Sequence, residues 1–162
     1  MTKTRYALSG LAVVVALVTG VKTFEGKENE AYVDHLAKTQ VVTVCYGHTR
    51  TAVLGQTYSD EQCDALLLKD LNEVYAPIVR KLVKVKLSQG EFNAVVDFVY
   101  NLGEGNFRSS TLLRKLNAGD YSGASLEFER WFMTNGKDCR KPASKCGGIP
   151  KRRAWEKAMF ES

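Results

Sequence analysis

A charge-free run from Tyr6 to Val21, preceded by Met-Thr-Lys-Thr-Arg and closed by Lys22, constrains this chain more than any other stretch. A basic flank ahead of an apolar run keeps the N-terminus in the cytoplasm and sends the remainder of the chain across the membrane. At about 1.5 Å per residue the run makes a helix of roughly 24 Å, short of a hydrocarbon core of about 30 Å. Snorkelling by Lys22 lets Thr23 and Phe24 lengthen it a little. Ser9, Gly10, Thr19 and Gly20 sit among Ala and Val, so insertion is only slightly favoured. Three readings compete: a buried core helix, a signal peptide cut near Val18 to Gly20, and an uncut anchor that later leaves the bilayer. The third is expected, because candidate chemistry begins at Glu25 and cleavage after Gly20 leaves almost nothing to support it. The expected organisation is a segment of residues 1–24 and a folded domain of residues 25–162.

The rest of the composition is that of a globular protein. Of 162 residues, 44% are hydrophobic and 25% charged, which argues against disorder and against a polytopic membrane protein. Lys plus Arg less Asp plus Glu is 23 − 18 = +5, which favours anionic partners such as nucleic acid, phospholipid or cell wall without choosing among them. The 4 cysteines suit two disulfides in an oxidising compartment. Zinc is the rival, but no CxxC occurs and neither His35 nor His48 is near Cys139 and Cys146 in sequence. No metal and no cofactor are expected.

Val41 to Tyr46 is β-branched and reads as a strand. Ser59-Asp60-Glu61-Gln62 is a capping box opening a helix whose apolar face runs Cys63, Leu66, Leu67, Leu71, Val74 and Tyr75 until Pro77 breaks or kinks it. Ser88-Gln89-Gly90-Glu91 repeats that grammar ahead of Phe92, Val95, Val96, Val99 and Tyr100, with Gly103 and Gly105 ending the helix. Further helices are expected from Ser109 or Ser110 to Asn117, from Ala124 to Phe132 and from Lys151 to Phe160. The fold class is α+β: a small N-terminal part containing a β-hairpin and a larger helical C-terminal part, preceded by the anchor helix.

Phe24-Glu25-Gly26, Ala31-Tyr32-Val33-Asp34 and Thr43-Val44-Cys45-Tyr46-Gly47-His48 carry the chemistry. Glycosidic cleavage needs one carboxylic acid that donates a proton to the leaving oxygen and one carboxylate that stays ionised. Glu25, after an apolar helix and Phe24, is the better donor; Asp34, between Tyr32-Val33 and His35, is the better anion. Taken alone, a Glu and an Asp nine residues apart are also what any charged surface supplies.

The whole pattern resembles the phage-type lysozymes, glycoside hydrolase family 24. Glu-Gly, Tyr-x-Asp and Thr with Gly-His stand in order, followed by Phe98-Val99-Tyr100-Asn101-Leu102-Gly103, by Asn106 to Arg114, and by Lys151-Arg152-Arg153-Ala154-Trp155-Glu156. The marginal N-terminal run makes the chain look like a signal-anchor-release endolysin of a phage or prophage of Gram-negative bacteria. The resemblance implies a lysozyme-like fold and hydrolysis of the β-1,4 bond between N-acetylmuramic acid and N-acetylglucosamine in peptidoglycan. It implies catalytic roles for Glu25, Asp34 and Thr43, the last orienting water or sugar through its hydroxyl. His48, Tyr100 and Asn101 fall at substrate-side positions. One departure stands out: Leu36 to Val42 separates Asp34 from Thr43 where the family has a shorter, Gly-containing turn.

The implied partners are peptidoglycan and, before release, the host inner membrane through residues 6–21, with no nucleic acid and a monomeric protein. The implied location is the periplasmic face of that membrane, N-terminus cytoplasmic, and then the periplasm. Of three possible disulfide pairings, Cys45–Cys63 and Cys139–Cys146 are preferred, the first joining a strand end to a helix and the second closing a short loop. No cysteine lies between residues 1 and 44, so a disulfide to the anchor cannot hold this enzyme inactive. Trp131 is expected in the core. Arg152 and Arg153 are either a solvated helix start or partners of acidic residues. Two rival functions, a non-catalytic wall-binding module and a small membrane-active toxin, leave the Glu25, Asp34 and Thr43 set unexplained.

Overall fold

In this computed structural model the described residues are 3–34 and 40–162; His35, Thr39 and part of the expected long connection before Thr43 lie outside them. The chain forms two compact units, one of residues 13–74 and one of residues 1–12 with 75–162.

The first unit contains α1 (Val15–Phe24), β1 (Glu28–Asp34), β2 (Val41–Cys45) and α2 (Asp60–Asp70). Leu17, Val18 and Val21 give α1 one buried face. β1 and β2 pair antiparallel, Tyr32 opposite Thr43 and Asp34 opposite Val41, with an irregularity between Glu28 and Tyr32. The capping box of α2 is complete: Ser59 Oγ accepts from the Gln62 N–H at 3.2 Å and Gln62 Oε1 from the Ser59 N–H at 2.8 Å. Cys63 and Leu67 form the buried side of α2, and the Cys45–Cys63 disulfide fastens β2 to it.

The second unit contains α3 (Ala76–Leu82), α4 (Gln89–Ser109), α5 (Thr111–Asn117), α6 (Tyr121–Glu127), the hairpin β3 (Met133–Thr134) and β4 (Lys137–Asp138), and α7 (Gly148–Glu161). Pro77 falls in the first turn of α3, where its missing N–H costs nothing, and a π-helical turn over Leu71–Tyr75 precedes it. Ser88 and Glu91 cap α4 reciprocally, and Phe92, Val95, Val96, Phe98 and Val99 are buried behind them. Gly103 bends α4 without ending it: at φ +84° it leaves the helical region, a conformation open to a residue without Cβ, and the helix resumes to Ser109. α6 begins before the expected Ala124, because the Asp120 side chain accepts from the Gly123 N–H at 2.8 Å and caps it. Trp131 packs edge-on against Phe98, which also meets Phe107 and Phe128. Cys139–Cys146 closes the short loop before α7.

The run expected as one anchor helix takes three forms here. Tyr6 makes an antiparallel bridge with Leu87, Leu8–Gly10 is a 3₁₀ turn, and α1 starts only at Val15. Arg80 donates to the carbonyls of Leu8 (3.2 Å) and Leu11 (2.6 Å), satisfying backbone groups that a continuous helix would have used internally. Among the described residues no helix is long and apolar enough to cross a membrane. The expected N-terminal signal-anchor helix is thus not seen among the described residues.

Candidate active site

Glu25 is the C-cap of α1: its N–H donates to the Val21 carbonyl at 3.1 Å and its backbone turns extended, which launches the chain toward β1. Two ion pairs to α2 hold this corner on either side of Glu25. Lys22 Nζ lies 2.6 Å from Asp64 and Lys27 Nζ 2.5 Å from Asp60. Asp60 also accepts from Asn29 Nδ2 at 2.9 Å, and Lys27 first, then Asn29, holds its carboxyl below the ordinary range. Tyr46 donates to Asp64 at 3.2 Å, while burial first and the Asp64 carboxylate second push its phenol up. Glu25 is half-buried.

Cross-strand partners share a face of a hairpin, and so do residues two apart on one strand. The observed register therefore puts Tyr32, Asp34, Val41 and Thr43 on one face, with Asp34 and Thr43 as diagonal neighbours. Thr43 is buried, and its Oγ1 reaches the Val41 carbonyl at 3.4 Å. Tyr32 adds an aromatic ring, 42% exposed, to the face that carries Asp34. Sequence reasoning reads Tyr32 as part of a motif and gives it no role, although its spacing of two from Asp34 is the available signal.

His48 is expected on the substrate side, beside the cleft and in support of Glu25. The ring is only 4% exposed and both nitrogens are engaged within the protein. Nδ1 lies 2.6 Å from Asp70 Oδ2, and Nε2 accepts from the Thr51 N–H at 3.2 Å, which leaves the proton on Nδ1. Through these contacts His48 ties the loop after β2 to α2. Asp70 escapes sequence reasoning because, at the end of an exposed-looking helix, nothing local distinguishes it.

In the helical unit, Tyr100 and Asn101 sit just before the Gly103 bend. Tyr100 is half-buried, its ring edge-on to Tyr75 with centroids 5.0 Å apart and 5.5 Å from the Arg152 guanidinium. Asn101 is exposed, and its Oδ1 accepts from Arg153 Nη2 at 2.8 Å, which fixes the amide. The two arginines are not a solvated helix start. Arg152 grips Asp97 with two bonds, 2.9 and 2.7 Å, and Arg153 lies 2.8 Å from Glu156, all four side chains being buried. Burial pushes the Glu156 carboxyl well up, Arg153 opposing and the neighbouring Asp97 adding to it; burial likewise lowers the Arg153 guanidinium.

Residues 22–156 match the phage lysozyme family. The chain is 43% identical over 134 residues to the SAR-endolysin of Bacteriophage PS119, covering 81% of this chain and 80% of that one. It is 39% identical to the endolysin of Acyrthosiphon pisum secondary endosymbiont phage 1, over 88% of this chain and 92% of that one. Among solved structures, the muramidase domain of SpmX from Asticaccaulis excentricus superposes with a TM-score of 0.80 at 30% identity, over 94% of this chain and 99% of that one. The α+β fold is thus lysozyme-like, and this glycosidase belongs to the phage lysozyme family.

Proposed function

We propose that Glu25, Asp34 and Thr43 are the catalytic set of a muramidase that hydrolyses the β-1,4 bond between N-acetylmuramic acid and N-acetylglucosamine. Glu25 donates its proton to the bridging oxygen as the bond breaks. Asp34, ionised, balances the positive charge that develops at the sugar carbon, and the Thr43 hydroxyl orients the water that completes the reaction. The observation that carries this reading is the hairpin register, which gives Asp34 and Thr43 a common face in the unit where two ion pairs to α2 clamp the backbone on both sides of Glu25. Tyr32 extends that face as a platform for a sugar ring. The test is the new chain end in digested murein: N-acetylmuramic acid as a free reducing sugar is expected. An anhydro end, the mark of transglycosylation, overturns hydrolysis, and no new end at all overturns the muramidase.

The lysis function carries a membrane stage. Residues 6–21 first span the host inner membrane, N-terminus cytoplasmic, with residues 25–162 on the periplasmic side. The segment then escapes and the whole chain is a monomer in the periplasm. The SAR-endolysin name of the 43% identical relative supports this, as does the marginal apolar run between Arg5 and Lys22. In the spanning state the residues that become α1 are in the bilayer, so the cap geometry that sets Glu25 is missing and the enzyme is off. Replacing both Gly10 and Gly20 with Leu should trap the protein in membranes and block lysis. Gly10 is exposed with open space where a Cβ would go, so that half of the change burdens insertion rather than the fold. Fractionation through a lysis time course checks it; release at the wild-type rate overturns the switch.

A further inference from the structure

The helical unit has a recess of about 550 Å³, and the chain's own N-terminal cations, Lys3 and Arg5, form part of its wall beside Glu91, Tyr121, Ser125 and Phe160. Arg5 Nε lies 3.0 and 2.9 Å from the two Glu91 oxygens, and Arg5 Nη2 lies 2.6 Å from Oε1. The guanidinium also stacks over Tyr121, its carbon 3.5 Å from the ring centroid. Lys3 Nζ donates to the Phe160 carbonyl at 2.6 Å, in the last turn of α7, where a cation is favoured. Beyond Arg5, the Tyr6 N–H donates to the Leu87 carbonyl at 2.8 Å, and Gln89 donates to Ala12 at 2.8 Å.

Glu91 is an unusual acid. It is fully buried and already accepts from the Ser88 N–H at 2.8 Å as the reciprocal partner of the α4 cap. That cap uses one oxygen, so Arg5 is the countercharge of a carboxylate that has left water. A buried charge that loses its partner is strongly destabilising, whereas an exposed pair contributes little.

We infer that the Glu91–Tyr121 seat is the lock of the released state, a guanidinium receptor for Arg5 that fills only after the N-terminal segment has left the bilayer. The inference rests on the proposal that the chain is first anchored and then released. While residues 6–21 span the membrane, Lys3 and Arg5 stay on the cytoplasmic side and the seat faces the periplasm without its cation. A ligand shifts an equilibrium only by its different affinity for the two states. Arg5 binds the seat in the released state alone, so its full interaction favours release and opposes re-entry. Drawing two cations through hydrocarbon is also the costly step of escape, and it keeps escape slow.

The test separates the seat from the anchor. Glu91→Gln keeps the capping box, since Gln at that position also reaches back to the Ser88 N–H, but removes the charge. In the purified full-length protein, hydrogen-exchange protection of the Tyr6 N–H should fall about tenfold in Arg5→Ala and in Glu91→Gln, a loss in the range of a charge-assisted hydrogen bond. The double variant should lose no more than either single one, because both changes break the same contact. In cells fractionated before lysis, the ratio of membrane-bound to soluble chain should rise about tenfold in Glu91→Gln, which leaves both crossing cations in place and removes only the seat's charge. Unchanged Tyr6 protection overturns the seat. Lost protection with an unchanged membrane ratio overturns its role as a lock. A wild-type chain absent from the membrane fraction at every time overturns the anchor reading, and the lock with it, while Tyr6 protection still reports whether the seat holds Arg5.

Discussion

Glu25→Gln should abolish sugar release from purified murein, a fall of about 10²–10⁴-fold for the loss of a general acid, while thermal unfolding stays near that of the parent. Gln has the shape of a protonated Glu but no proton to give. The substitution keeps the Glu25 backbone N–H that caps α1 on Val21 and the two clamps of Lys22 and Lys27 at that corner. Asp34→Asn should be nearly as damaging, since it removes the negative charge that balances the developing cation. Reducing-end assays beside calorimetry on the same samples decide the matter. A Gln variant that keeps more than a few per cent of activity removes Glu25 from the acid role.

The largest stability effect should come from the buried charges between α4 and α7. Asp97→Ala removes the carboxylate that Arg152 grips with two bonds in a dry core, and breaking a buried pair in this way costs about 3–5 kcal/mol. Urea unfolding at neutral pH checks it; a loss under about 1 kcal/mol, the level of an exposed pair, sinks it. Glu156→Gln should behave oppositely. Because burial raises the carboxyl of Glu156 in the folded state, that state holds the proton more tightly than the unfolded chain does. The resulting stability is complete below the unfolded value of about 4.3 and is lost as pH rises toward the folded one. Gln mimics the protonated acid at every pH, so the variant should lose that downward slope and match or exceed the parent at neutral pH. A steeper fall with rising pH in the variant contradicts the assignment.

What could be read from the residues was local. Both capping boxes involve atoms three residues apart, and Ser59–Gln62 and Ser88–Glu91 close as the spacing predicts. The strand beginning at Val41 and the helix capped by Ser110 are short-range for the same reason. The partners of Arg152 and His48 were not legible. Asp97 lies 55 residues from Arg152 and Asp70 lies 22 from His48, and no periodicity links such pairs. The shape of the N-terminal run was hidden likewise, because Leu87, Gln89 and the Arg80 guanidinium decide it from far along the chain. A helical pattern read from composition cannot know that another segment will claim its carbonyls.

If the proposed anchored stage holds, Tyr6 to Val14, pinned here as a bridge and a 3₁₀ turn, must also be helical in lipid and so satisfy two incompatible environments with one set of side chains. Neither can be perfected without harming the other, so drift at these positions is filtered twice. On that same proposal, a change invisible to assays of the purified enzyme would advance or delay the burst of the host, and one that spoils the enzyme would leave the timing untouched. For anyone tuning such proteins as antibacterials, this short stretch is the place where potency and schedule are adjusted separately.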